Sequence, residues 1–303
     1  MKLWESYEKV DEHLPHLWKT PHILWYNHKT INCSYFETPN TMKKLFVLTM
    51  ILGVAFGAHL LSGRPQANAN VAINPGDLVR GETFSAVYYY GSDGFRYVFP
   101  NTKTYDTWYS NFDSVKFISD AQLGQLQIGG NVTYRPGVRM IKIDTDPKTY
   151  AVAANGVLRH VASESAASGL YGSAWNTQID DVPDAFFTNY SIGDAINSAS
   201  EFDKSAVTST ASSINLDKDL RLPADVTISD SAYSPVSVNI VPGQTVRFTN
   251  DGSSNHTVTS DDLTWGSGTM VPGRSFVRKF EEAGTYTFFD SYNSGLTGAI
   301  YVQ

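Results

Sequence analysis

Cysteine is nearly absent from this sequence. Of 303 residues only Cys33 is a cysteine, and it lies ahead of the segment that reads as the folded part. Beyond residue 69 no thiol remains. That excludes a disulfide framework, a thiolate-held metal and a cysteine nucleophile in the folded part. Histidine is scarce there too, since only His160 and His256 occur after residue 69. No G-x-S-x-G, H-E-x-x-H or P-loop pattern occurs, and no enzyme activity is expected. Positive charge is also short. The whole chain carries a formal −7, and residues 70–303 hold 16 Lys+Arg against 25 Asp+Glu, a net of −9. A nucleic-acid partner is not expected from that balance. The remaining composition, with 42% hydrophobic and 13% aromatic residues, is that of a globular chain of one to three domains.

The N-terminal 69 residues are set apart. Met42-Lys43-Lys44 opens a basic stretch, residues 45–61 form an apolar run, and Ala67-Asn68-Ala69 supplies small residues in A-x-A spacing. In that order they read as a secretory signal peptide over 42–69, cleaved after Ala69. The alternative is an uncleaved membrane anchor, although the run is short for a spanning helix of about 20 residues. No cysteine follows the run, so a lipoprotein anchor is not expected. Residues 1–41 hold His13, His16, His22, His28 and Cys33. Such a tract suggests metal binding. A leader belongs at an N-terminus, however, and 1–41 reads as a non-native extension ahead of a true start at Met42.

Residues 70–196 read as an α+β segment duplicated as 75–135 and 136–196. Pro75-Gly76 is echoed by Pro136-Gly137, Asp93-Gly94 by Asn155-Gly156, Arg96-Tyr97-Val98 by Arg159-His160-Val161, and Ile128-Gly129 by Ile192-Gly193. In the first unit, strand-forming residues 85–90 meet the turn 91–94 and return over 95–99. Tyr105, Trp108, Tyr109 and Phe112 fall on one helical face. A strand is expected at 115–118, and Ser119 caps a short helix containing Leu123 and Leu126. The second unit repeats the hairpin over 150–161, with a helix near 166–175. The run Ser92-Asp93-Gly94-Phe95-Arg96-Tyr97-Val98-Phe99-Pro100-Asn101 resembles a repeat of exported bacterial envelope proteins. The aromatics read as core, or alternatively as a sugar-stacking surface. Asp144, Asp146, Asp180, Asp181 and Asp184 match no calcium-loop spacing and read as solvated turns.

Residues 197–223 are rich in Ser, Ala, Thr and Asp. They read as a flexible linker between independently folded parts.

Residues 224–303 show short strands separated by turns, with apolar alternation at Val238, Ile240, Val246 and Phe248. An antiparallel β-sandwich is expected. Tyr233-Ser234-Pro235, Val241-Pro242-Gly243-Gln244-Thr245-Val246, Asn250, Asn255-His256-Thr257-Val258, Pro272-Gly273-Arg274-Ser275-Phe276, Gly284-Thr285-Tyr286-Thr287-Phe288 and Gly295-Leu296-Thr297-Gly298-Ala299-Ile300 follow in order. Together these motifs resemble the plastocyanin-like blue-copper (cupredoxin) family. The resemblance implies a cupredoxin-like sandwich and, for the family, a copper cofactor used in electron transfer.

At the ligand positions the sequence departs from the family. The family's loop reads roughly Tyr-x-Tyr-x-Cys-x-x-His-x-x-Met. Here Asp290 stands at the cysteine position, Asn293 at the second histidine and Leu296 at the methionine. His256 is the only retained ligand position. A type 1 copper site needs two imidazoles and a thiolate, so no cofactor is expected. His256 then reads as a hydrogen-bonded surface histidine, or with Asp290 as a loose pair for Cu(II) or Zn(II).

Three functions compete. The first is an exported envelope or extracellular protein, secreted or on the cell-surface or periplasmic side, whose modules are interactive or structural. Its partner would be an envelope polysaccharide or protein, with membrane contact only through an uncleaved leader. The second is a copper-binding electron carrier. The third is a carbohydrate- or peptidoglycan-binding module.

Overall fold

The computed structural model describes residues 70–143 and 145–303. The extension 1–41, the leader 42–69 and Asp144 lie outside the described residues. Among the described residues no helix is long and apolar enough to cross a membrane.

The first unit is a five-stranded sheet. β1 (Leu78–Arg80), β2 (Tyr88–Tyr90) and β3 (Arg96–Val98) form an antiparallel meander. β4 (Val115–Phe117) joins β1 in parallel and β5 (Ile128–Asn131) joins β3 in parallel, giving the order β4-β1-β2-β3-β5. Two short helices make the crossovers. α1 (Thr102–Asp106) starts at Asn101, whose side chain accepts from Thr104 N–H. α2 (Asp120–Gln125) starts at Ser119, which accepts from Gln122 N–H. Both are N-caps that satisfy donors the first helical turn leaves open.

The second unit repeats this plan. β6 (Met140–Ile143), β7 (Asp146–Ala153) and β8 (Val157–His160) form the meander, followed by α3 (Glu164–Tyr171), β9 (Ile179–Asp181), α4 (Asp184–Phe187) and β10 (Ser191–Ile192). β9 lies parallel to β6 and β10 parallel to β8, so the order is β9-β6-β7-β8-β10. The two sheets have the same connectivity and the same pattern of parallel and antiparallel neighbours.

The register corrects one landmark. Gly94 and Gly156 both have positive φ, and they occupy the two hairpin turns. Tyr90 pairs with Arg96, and Val152 pairs with Leu158. Arg96 therefore corresponds to Leu158, one residue before Arg159. Ile128 pairs with Arg96 and Ile192 with Leu158, which places Ile128 and Ile192 in equivalent positions. A one-residue slip reverses the face of every side chain, so only the ladder assigns the equivalence.

The units have diverged at one ladder position. Arg80 pairs with Phe117 across β1 and β4, and its guanidinium lies 4.8 Å from the ring centroid. At the equivalent place Lys142 pairs with Asp181, with an ion pair of 2.6 Å. Two of the other aspartates read as solvated turns also have partners, and Asp180 is buried rather than solvated. Asp180 is buried against Arg139 at 2.6 Å, and Asp184 accepts from Thr145.

α1 ends at Asp106, so of the four aromatics expected on one helical face only Tyr105 is helical, and the four divide between core and surface. Tyr105 is buried, while Trp108 and Tyr109 pack against the same cluster as Leu78, Tyr89 and Phe99. Phe112 stacks on Tyr105 with centroids 4.3 Å apart but stays exposed.

Residues 197–223 depart from the flexible spacer expected. They contain α5 (Lys204–Thr210), capped by Asp203, and α6 (Ile214–Asp217), capped by Ser213. Phe202 packs in the second unit's core beside Leu170, and Ile214 in the first unit's core beside Tyr89. Arg135 donates to the Ala211 carbonyl, and Asp217 accepts from Asn155 N–H. Large side chains are few here; Phe202 and Ile214 are buried in the neighbouring cores, with Val207 and Leu220 packed against them, while Leu216 and Leu222 stay exposed.

The C-terminal part is a sandwich of two four-stranded sheets. One contains β11 (Ala224–Ile228), β12 (Tyr233–Ser234), β14 (Gln244–Asn250) and β16 (Ser275–Phe280) in the order β12-β11-β14-β16. The other contains β13 (Ser237–Ile240), β15 (Thr259–Ser260), β17 (Gly284–Phe289) and β18 (Thr297–Val302) in the order β13-β18-β17-β15. Pairing is mainly antiparallel, with one parallel pair in each sheet, β11 with β14 and β13 with β18. Val226, Ile228, Phe248, Phe288 and Ile300 point inward from both sheets. That alternation is the period of two read from the sequence.

The sandwich is joined to the first unit. Gln127 accepts from Val277 N–H at 2.5 Å and donates to the Val277 carbonyl at 2.9 Å, so one amide closes part of the free edge of β16. Thr245 donates its hydroxyl to the buried Asp93 carbonyl at 2.9 Å. A Cβ on Gly94 would meet Val277 at 3.3 Å, and its φ of +87° already favours glycine there.

Candidate functional site

His256 lies in an isolated antiparallel bridge with Met270, held by His256 N–H to Met270 O at 3.1 Å and its reciprocal at 2.8 Å. Asn250, fully buried at the end of β14, donates from its amide to the Ser254 and Met270 carbonyls. These bonds fix the turn 251–255 that delivers His256. The imidazole is 3% exposed, so it is an interior group and not the surface histidine expected.

The loop between β17 and β18 carries the other three positions. It is closed by backbone bonds from Asp290 N–H to Leu296 O, Asn293 N–H to Asp290 O and Leu296 N–H to Asn293 O. Asp290 is fully buried. Its Oδ2 lies 2.7 Å from His256 Nδ1. Its Oδ1 accepts from Thr257 N–H at 2.8 Å and Tyr292 N–H at 3.1 Å. Thr257 Oγ1 in turn accepts from Ser291 N–H at 2.7 Å. One carboxylate thus ties the His256 segment to the β17–β18 loop. Asn293 is exposed and its side chain accepts only from Gly295 N–H, at 3.3 Å. Leu296 is buried and belongs to the apolar core with Met270 and Phe288. The structure therefore brings His256 and Asp290 into contact, leaves Asn293 facing solvent and places Leu296 in the core.

One residue of this cluster carried no signal in the sequence. Asp230, in the turn after β11, places Oδ1 3.2 Å from His256 Nε2. Asp230 is itself held by Ser253 Oγ–H and by the Ser253 and Ser254 amides. Its carboxyl lies well below the usual range because of the Ser253 hydroxyl first, then the Ser254 amide and His256. Gly252 lies at the point of closest approach. A Cβ there would come within 2.6 Å of Asp230 Oδ1 and 3.1 Å of His256 Nε2.

The imidazole is flanked by a carboxylate at each nitrogen. Carboxylates only accept, so the imidazolium form satisfies both contacts. Burial opposes that charge, but the hydrogen bonds to Asp290 and Asp230 outweigh it, and the His256 pKa is raised.

These residues do not fit a type 1 copper ion. Both ring nitrogens of His256 face carboxylates, the cysteine position offers a carboxylate already accepting several hydrogen bonds, and Leu296 has no donor atom. Among the described residues, no group of three or more His, Cys, Asp or Glu side chains could hold a metal ion.

Comparison with known proteins agrees with the sandwich. A family model described as a cupredoxin-like domain matches residues 205–302. It begins inside the segment read as a linker. Among solved structures, the purple cupredoxin from Nitrosopumilus maritimus is similar at 29% identity, covering 26% of this chain and 99% of that one, with a TM-score of 0.26. A copper-containing nitrite reductase from Thermus scotoductus SA-01 matches at 21% identity over 27% of this chain and 23% of its own, TM-score 0.26. A reduced amicyanin variant matches at 22% identity over 27% and 82%, TM-score 0.26. No curated protein matches the sequence. Across residues 205–302 the chain carries a cupredoxin-like domain.

Proposed function

We propose that this chain is a non-enzymatic, exported cell-envelope or extracellular protein whose cupredoxin-like domain serves as an interaction or structural module. The observation that carries this reading is the fully buried Asp290 at the cysteine position, bonded to His256 and to Thr257 N–H. Where the family's metal would cross-link two segments, this chain uses a carboxylate and an imidazole. A buried pair of this kind favours one loop arrangement, because removing either partner strands the other. It supplies no redox couple. Export rests on the basic, apolar and A-x-A order of residues 42–69.

The test is a titration of the purified protein with Cu(II), followed by absorption spectroscopy and calorimetry, with native mass spectrometry for bound metal. We expect no intense thiolate-to-copper band and no stoichiometric copper. An intense band, tight one-to-one binding or catalytic turnover would overturn the reading and favour the copper-binding electron carrier.

A further inference from the structure

We propose that the cleft between the first repeat unit and the outer face of the β12-β11-β14-β16 sheet is a binding site for a neutral saccharide. The inference rests on the interaction-module reading and gives that module a ligand class.

The site follows from strand geometry. Side chains two apart on a strand share a face. Val226, Phe248 and Phe280 fill the sandwich core, so the intervening residues of the same strands face outward. Asp225 and Thr227, Arg247 and Thr249, and Ser275 and Val277 therefore form a wall across three neighbouring strands, and all six line the cleft. The first unit supplies the opposite side through Tyr90 and Gln125 to Gln127. The Gln127 amide bonded to Val277 joins the two sides at one end. The result is a cleft of about 470 Å³. A second cavity of about 260 Å³ adjoins it and shares Tyr90, Asp225 and Arg247. The first cleft alone falls within the usual range of ligand sites, about 300–1,000 Å³.

The lining chemistry selects the ligand. Arg247 is tied to Asp225 by two bonds, Nε to Oδ1 at 2.7 Å and Nη2 to Oδ2 at 3.0 Å. The only cation of the wall is thereby neutralised, and Asp251 adds a carboxylate at the rim. An anion would meet two carboxylates and one committed guanidinium. An apolar ligand would meet a wall of hydroxyls, amides and charges. Thr249 and Ser275, whose hydroxyls bond each other at 2.9 Å, leave one O–H free to donate and lone pairs on both oxygens to accept. Gln125 offers an amide with both functions. A neutral ligand rich in hydroxyl groups matches this set. Tyr90 stands where the two cavities meet, so its ring is placed for the C–H face of a sugar. The two adjoining cavities suit two linked sugar units.

The test uses the full-length protein with three neutral probes, cellobiose, maltose and N,N′-diacetylchitobiose, and one anionic probe, a hyaluronan tetrasaccharide. Calorimetry or NMR titration gives the affinity. We expect saturable binding of at least one neutral probe, at about millimolar strength, and none of the anionic one. Arg247→Ala and Tyr90→Ala should each weaken binding about tenfold or more, while Phe117→Ala, outside the cleft, leaves it unchanged. If Arg247→Ala does not fold, the rim variants Asp251→Ala and Gln125→Ala carry the same expectation with a smaller loss. Absence of saturable neutral binding, preference for the anionic probe, or loss of binding only in Phe117→Ala would each overturn the proposal. An absence of sugar binding with a blank copper titration leaves the module reading standing, whereas a copper band removes that reading by itself.

Discussion

The Asp290 carboxylate meets His256 Nδ1 at 2.7 Å inside the sandwich, joining two segments that are 34 residues apart in sequence. The consequences of this contact can be measured.

Removing the carboxylate should be costly. Asp290→Ala strands a buried imidazole and two backbone donors, Thr257 N–H and Tyr292 N–H. We expect a loss of about 3–5 kcal/mol in chemical denaturation, as for breaking a buried ion pair. A loss below about 1 kcal/mol would show that the contact is not structural.

The same cluster predicts a pH dependence. The His256 pKa is raised in the folded state, against burial, by Asp290 and Asp230. Its contribution is therefore full below the ordinary imidazole value of about 6.5 and fades as pH rises through the raised value. The Asp230 pKa is lowered, chiefly by Ser253. Its contribution is full above the ordinary carboxyl value of about 3.9 and fades as pH falls. The stability gap between wild type and His256→Gln should be largest between about pH 4 and 6.5 and smaller at about pH 9. A gap that grows with pH would contradict the assignment.

Restoring the donor atoms should restore a metal site. Asp290→Cys, Asn293→His and Leu296→Met together supply the thiolate, second imidazole and thioether that His256 lacks. With Cu(II) the triple variant should show an intense visible band absent from wild type. A folded triple variant with no such band would show that these loop positions do not converge on His256.

The segment 197–223 should behave as part of the core. Ile214 is fully buried in the first unit and Phe202 is 4% exposed in the second. Ile214→Ala should destabilise by about 2–5 kcal/mol and Phe202→Ala by about 3–5 kcal/mol. Changes near zero in thermal or chemical unfolding would return the segment to the role of a spacer.

The clamp at β16 is also open to measurement. Gln127→Ala removes both bonds to Val277, and the Val277 amide should exchange faster with solvent. The expected cost is about 1–2 kcal/mol, as for two hydrogen bonds at a partly buried site. Unchanged exchange at Val277 would show that Gln127 does not protect that edge.

Much of this protein is written locally. Strands at Val226, Val246 and Phe248 are legible because a half-buried strand alternates apolar and polar residues. The duplication is legible because each unit needs the same turns. The missing thiolate is legible because no cysteine follows Cys33. The misread linker shows the limit. Ser, Ala and Thr dominate it, and its few apolar residues have no strand or helix period, so only the cores that Phe202 and Ile214 enter explain their placement. The Arg96 equivalence failed for a related reason, since similar residues one step apart in a strand face opposite ways.

The sequence by itself determined the sandwich, the repeat and the absence of any thiol after Cys33, because these depend on residue identity and short-range pattern. The tertiary structure alone decided that His256 is buried between Asp290 and Asp230. Asp230 lies 26 residues away in the chain, and only the packing of the turn after β11 against the turn after β14 brings its charge to the imidazole.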